Sequence, residues 1–255
     1  MKVDTKELLY LHVQSSEKFV ISYGMDFREF SHALTENLQN ILLIEHKYED
    51  GEFNVNTLMD YVPAEDLPNL LKQNVSQYRD FCWIDFEEAS GLDELDGHEI
   101  AELLYLGHCK AHLRPPFYNQ LNNRYVYLAY DDGWFNKVYY RYMDSFYEML
   151  GNLLPLKLEL LKKERTLLGG WRKKAEYASF PAGSLKQLTP MLVEGAAISF
   201  KKMLSTRAKI EIPVWVLGDF VNMDDMNEEY QALESRPSDA LLVYNRKSRE
   251  WTVEK

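Results

Sequence analysis

Two alternating aromatic runs, NRYVYLAY and WFNKVYYRY, flank the triplet Asp131-Asp132-Gly133. An Asp-Gly step readily takes the left-handed conformations of a tight turn, so the pattern predicts a β-hairpin at about 124–142. This hairpin constrains the fold more than any other segment. Its side chains alternate between two faces, and a two-stranded ribbon hides only one of them against a core. Rings fall on both faces: Tyr125, Tyr127, Tyr130, Trp134, Phe135, Tyr139 and Tyr140. Either helices cover both sides, or part of the hairpin is an exposed recognition surface, where large rigid rings are favoured. The second reading assigns a binding surface to Trp134, Phe135 and Tyr139, with Arg124 and Arg141 near the strand ends. Those arginines would anchor an acidic group, or else pair with Asp131 or Asp144 in the fold.

Around the hairpin the patterns are mixed. ELLYLHVQ (7–14), KFVISYG (18–24), NILLIEHKYE (40–49) and DFCWIDFEE (80–88) are rich in β-branched and aromatic residues and read as strands. MDFREFSHALTENL (25–38) has apolar residues at helical spacing. NVNTLMDYV (54–62), PAEDLPNLLKQNVSQY (63–78) and LTPMLVEGAAISFKKMLS (188–205) also read as helices. A terminal hairpin, ALLVYN and EWTVE, closes the chain, and no internal repeat is visible. The order predicts an α+β fold, with a mixed or antiparallel sheet and helices packed on it. It divides into an α+β region at 1–143 and a mainly helical region at 144–255 with a C-terminal hairpin, or forms one continuous domain.

Charge and hydropathy narrow the function. No run free of Asp, Glu, Lys and Arg exceeds nine residues, so no segment is predicted to cross a bilayer core as a helix. MKVDTKELLY carries acids where a secretory signal would need an apolar stretch. The two cysteines, Cys82 and Cys109, lack metal or redox spacing and fit a reducing, cytoplasmic setting. Net charge is −11 but uneven, with 12 Lys/Arg against 4 Asp/Glu in residues 157–209 and an acidic excess on either side. The acidic body disfavours nucleic acid. The basic block suits a solvated helix surface, an anion or an acidic partner.

One stretch invites a catalytic reading. GHEIAELLYLGHCKAH (97–112) is an amphipathic helix ended by Arg114-Pro115-Pro116. At 100° per residue, His98, Glu102, Tyr105, Cys109 and His112 share one face, opposite Ile100, Leu103, Leu104 and Ala111. His98-Glu99-x-x-Glu102 resembles the zincin helix, in which two ligands four apart flank a general-base glutamate. Glu102 replaces the second histidine, and Tyr105 stands where the extended pattern has a glycine. Zinc or another divalent metal would then be held by His98, Glu102, His108 or His112, with Asp85 completing the set and Glu99 deprotonating a bound water. His98 and His108 would reach one ion only if the helix broke at Gly107. Otherwise the polar face is a solvated one.

The run DFCWIDFEE…GHEIAELLYLGH…RPPFYNQLNNRYVYLAYDDGWFNK resembles a group of uncharacterised cytosolic Gram-positive bacterial proteins of about this length. The resemblance implies a bacterial source and no activity. The residues themselves predict a non-catalytic protein-binding or regulatory module without a cofactor. The alternative is a metal-dependent hydrolase built on the 98–102 helix.

Overall fold

The computed structural model describes residues 6–46, 57–72, 81–109, 115–130, 135–165, 177–220, 223–233 and 236–255. The chain opens with β1 (Leu8–Gln14), β2 (Phe19–Tyr23), α1 (Phe27–Ala33), β3 (Asn40–His46) and β4 (Thr57–Val62). The short α2 (Leu67–Leu70), β5 (Phe81–Phe86), the short α3 (Ser90–Asp93) and α4 (Gly97–Cys109) follow. Next come β6 (Tyr125–Tyr130), β7 (Phe135–Tyr140), α5 (Met143–Arg165), α6 (Ala182–Leu185) and α7 (Thr189–Glu194). The chain ends with β8 (Ala196–Ser199), β9 (Leu204–Ser205), β10 (Lys209–Val216), α8 (Met223–Ala232), β11 (Ala240–Asn245) and β12 (Glu250–Glu254).

All the strands join one antiparallel sheet in the order β12-β11-β10-β8-β1-β2-β7-β6-β5-β3-β4, with β9 paired to β10. The fold is α+β, about 35% helical and 32% strand. The sheet runs unbroken across residue 143, because β1 pairs with β8 and β2 with β7. Five strands occupy the region expected to be mainly helical. Part of that difference lies in 188–205, which is not one helix: α7 stops at Gly195, whose φ of 91° favours glycine, and the chain turns into β8. A Cβ at Gly195 would lie 2.0 Å from the Gly218 carbonyl oxygen. Likewise 57–62 is a strand, not a helix, with exposed Met59 and Tyr61 marking the sheet edge. Of the helix expected at 63–78, four residues are helical and 73–80 lie outside the described residues.

The front face of the sheet carries α1, α5, α6 and α7. Phe27 and Phe30 of α1 pack on the cross-strand pair Trp83–Tyr127, whose rings stack 5.4 Å apart. A capping box starts that helix: Asp26 accepts from the Glu29 amide, and Glu29 accepts from the Asp26 amide. Leu185, Leu188 and Leu192 fill the same layer further along, with Phe180 stacked on Trp251. The back face is split into two smaller clusters. Leu103 and Leu106 of α4 lie over β3, β5 and β6, while Met226, Tyr230 and Leu233 pack over β1, β8 and β10.

A duplication is visible in this topology. With the intervening β4, α2 and α3 set aside in the first half and β9 in the second, the order helix–strand–strand–helix–strand–strand occurs as α1-β3-β5-α4-β6-β7 and again as α7-β8-β10-α8-β11-β12. Each strand of the first set lies six places along the sheet from its counterpart in the second. In both sets the first helix is on the front face and the second on the back. The sequence shows no trace of it, since helix–sheet packing asks only for apolar character at alternating positions.

Candidate functional site

The described residues of the predicted metal site do not come together. The helix α4 continues through Gly107 to Cys109, so ten residues separate His98 from His108 by about 15 Å along the axis. Glu99 works at the helix start: its carboxylate accepts from the Asp96 amide (3.0 Å) and from Gln120 Nε2 (3.2 Å). Asp96 Oδ1 in turn accepts from the amides of His98 and Glu99, both at 2.8 Å. This is a capping box, which occupies the proposed general base. His98 Nε2 lies 3.4 Å from Glu102 Oε1, an (i, i+4) pair whose histidine is open to solvent. The buried stripe is also turned from the expected one. It centres on Leu103 and Leu106, and leaves Ile100 39% exposed.

Asp85 lies on the other side of the sheet from α4. Alternate residues of β5 face opposite ways: Cys82, Ile84 and Phe86 meet the α4 cluster, while Trp83 joins the front-face core. Asp85 shares the Trp83 side, is 3% exposed, and accepts from the amides of Arg124 (2.9 Å) and Tyr125 (2.6 Å). Burial pushes its pKa up to about 6, against the lowering effects of the Tyr125 amide and the Arg124 charge. Among the described residues no group of three or more His, Cys, Asp or Glu could hold a metal ion. His112 and the side chain of His108 lie outside the described residues.

The two strands of the aromatic hairpin pair as predicted, but their described rings are buried. β6 and β7 are interior strands, and both of their faces are covered. Phe135 is 7% and Tyr139 2% exposed, in the two different back-face clusters. Arg124 pairs with Asp85 and Glu36 and donates to the Asn37 carbonyl. Arg141 donates to the carbonyls of Asn123 (2.6 Å) and Tyr118 (3.0 Å). Both guanidiniums therefore hold their own loops. Trp134 lies outside the described residues.

An open surface lies on the back face of the second half. A groove of about 520 Å³ lies beside the end of α8. Trp215 and Pro213 of β10 form its floor, Leu241 of β11 and Leu233 its apolar walls, and Leu204 of β9 its rim. The Trp215 indole N–H donates to the carbonyls of Arg236 (3.2 Å) and Pro237 (3.1 Å), fixing ring and loop together. Arg236 is held by both carboxylate oxygens of Asp239, each at 3.0 Å, and Asp239 also accepts from the Val216 amide. Glu211 is paired with Lys209 at 2.6 Å.

Lys202 is placed differently. Its Nζ lies 5.1 Å from the Trp215 ring centre and 5.5 Å from that of Tyr230, in range for cation–π attraction. The Tyr230 hydroxyl is 2.6 Å from Ser199 Oγ, which accepts from the Lys202 amide, so the rings and the lysine backbone are tied together. Among the described residues no carboxylate lies within 4.0 Å of this ammonium. The groove thus combines an aromatic floor, apolar walls and one cation without an acidic partner among the described residues.

Sequence reasoning missed this site because its residues come from four separate segments with no motif spacing. Two signals pointed towards it: the basic block that contains Lys202, and a tryptophan in the extended run IEIPVWVLGDF. With fold and groove defined, the chain can be compared with known proteins: it matches no protein-family model, no curated protein and no solved structure. Class and site therefore rest on geometry alone: a large antiparallel sheet with helices on both faces, and an open groove over Trp215. No helix among the described residues is long and apolar enough to cross a membrane.

Proposed function

We propose that the protein is a non-catalytic binding module and that it recognises a partner protein through the groove over Trp215. The observation that carries this reading is Lys202, held over Trp215 and Tyr230 at the edge of an apolar groove, with no carboxylate among the described residues within 4.0 Å of its ammonium. A volume of about 520 Å³ falls within the ordinary range of binding sites, roughly 300–1,000 Å³. The other charged groups of the lining, Glu211 and Arg236, are each occupied by a neighbour, which favours recognition over acid–base work. The partner surface thus moves from the aromatic hairpin, which the core consumes, to the other end of the sheet.

The test is selection of a random displayed peptide library against the full chain, followed by NMR mapping of the enriched peptides. Enriched peptides should perturb the Trp215 indole resonance and lose binding in Leu241→Glu. Enrichment confined to peptides that perturb some other surface would overturn the assignment, and so would no enrichment at all.

A further inference from the structure

The duplicated topology shows what kind of segment fits this groove, an inference that rests on the binding reading above. In the first half, Ile84 of β5 pairs with Val126 of β6, the back-face pair nearest the crossover helix. Its counterpart in the second half is Pro213 of β10 paired with Leu241 of β11. Ile84 and Val126 are fully buried, because Tyr118 and Leu121 from the connection after α4 join their cluster. Fifteen residues, 110–124, link α4 to β6, whereas seven, 233–239, link α8 to β11. Among its described residues the shorter connection contributes one buried large apolar side chain, Leu233, where the longer one contributes both Tyr118 and Leu121, and Leu241 is left half-buried at the groove.

We propose that the groove is filled by an irregular segment of a partner protein that inserts an aromatic and an aliphatic side chain about three residues apart, as Tyr118 and Leu121 do in the first half, and that carries a carboxylate to Lys202. The charge follows from the rim. Of the two cations in the lining, Arg236 is paired with Asp239, and Lys202 is the one with no carboxylate within 4.0 Å among the described residues. Peptide binding of this kind needs no change in the sheet, because the indole and the 236–239 loop are already tied in place.

The experiment uses fluorescein-labelled peptides and the full chain, read by fluorescence polarisation at low salt. The probes are PPFYNQLNN, which is residues 115–123 of this chain, and the same peptide extended at its N-terminus by two glutamates or by two lysines. The glutamate peptide should bind at least tenfold more tightly than the lysine peptide, and Lys202→Met should remove that difference. Leu204→Glu, at a position 65% exposed and so harmless to folding, should weaken both peptides at least tenfold, as should Leu241→Glu. Equal binding of the two peptides, or binding unchanged by Leu204→Glu, would overturn the inference. So would a concentration-dependent dimer dissolved by Leu204→Glu, which would assign the groove to a second copy of the chain. If library-selected peptides occupy the groove while these do not, the inference fails and the binding reading stands. If neither set reaches Trp215, both fail.

Discussion

Replacing Lys157 by methionine tests how the front-face core tolerates charge. Lys157 is 1% exposed, and its Nζ lies 3.0 Å from both carboxylate oxygens of Glu29. Methionine approximates the stem of lysine but removes the ammonium, leaving the Glu29 carboxylate buried beside Asp26. Removing one partner of a buried ion pair costs about 3–5 kcal/mol, because the remaining charge is no longer compensated. Burial already raises the pKa of Glu29, and the Lys157 charge opposes that rise. Without Lys157 the pKa climbs further, so Glu29 can escape part of the penalty by taking a proton. The sign follows: stability of the variant is greatest below the unfolded carboxyl value and is lost as pH rises through the raised folded value. Urea denaturation should therefore show a loss of about 3–5 kcal/mol at pH 7 and a smaller one at pH 5, with an unchanged m-value. The double variant Glu29→Gln/Lys157→Met should be at least about 2 kcal/mol more stable than the two single losses added together. A loss below about 1 kcal/mol at pH 7, or one independent of pH, would refute the reasoning.

Four further outcomes follow from the geometry. Asp85, with its pKa raised from 3.8 to about 6, should weaken the fold by at most about 3 kcal/mol as pH rises through that interval. Asp85→Asn keeps an acceptor for the Arg124 and Tyr125 amides and should flatten this part of the stability–pH curve; an unchanged slope would exclude Asp85 as its source. Asp96→Ala should cost about 1 kcal/mol through loss of the α4 cap. Added zinc should shift the melting temperature of neither untagged wild type nor His98→Ala, and a rise in the wild type alone would restore the metal reading. Gly151→Ala should destabilise by about 1–3 kcal/mol although alanine favours helices, since its Cβ would lie 2.2 Å from the Phe180 carbonyl oxygen. A stabilised Gly151→Ala would show that this contact yields freely.

What was legible in the sequence follows the range of the interactions concerned. The hairpin at 125–140 was readable because its turn chemistry and its alternation are local, and α4 because its period and its proline stop are local. Whether the hairpin lies open or covered depends on β2 and β5, its neighbours in the sheet, and on helices far away in the chain. The same limit explains α4. Its polar residues suggested a working face, but Glu99 was spoken for by Asp96 three residues away and by Gln120 across a loop. An acid at the third helical position is as consistent with a capping box as with a general base. The reading of 188–205 as one helix failed at Gly195, where a backbone close to Gly218 demands a residue without a side chain.

The groove illustrates a form of site that composition and motif cannot display, because a difference between two equivalent places creates it. Both halves set a crossover helix on the back face and return the chain to a third strand. The first half returns slowly, and its connection plugs the sheet with Tyr118 and Leu121. The second returns quickly, and Asp239 and the Trp215 indole tie down the short loop beside Pro213 and Leu241. Charge shows the same asymmetry: Cys82 in the first half corresponds to Glu211 in the second, so a buried apolar position has become a carboxylate paired with Lys209 in the groove lining. Lengthening the second connection should then close the site. Inserting FYNQL, residues 117–121 of this chain, between Ser238 and Asp239 should raise stability or leave it unchanged while abolishing peptide binding. If the insertion bound peptides as the wild type does, the equivalence of the two places would be refuted, whatever ligand the groove takes.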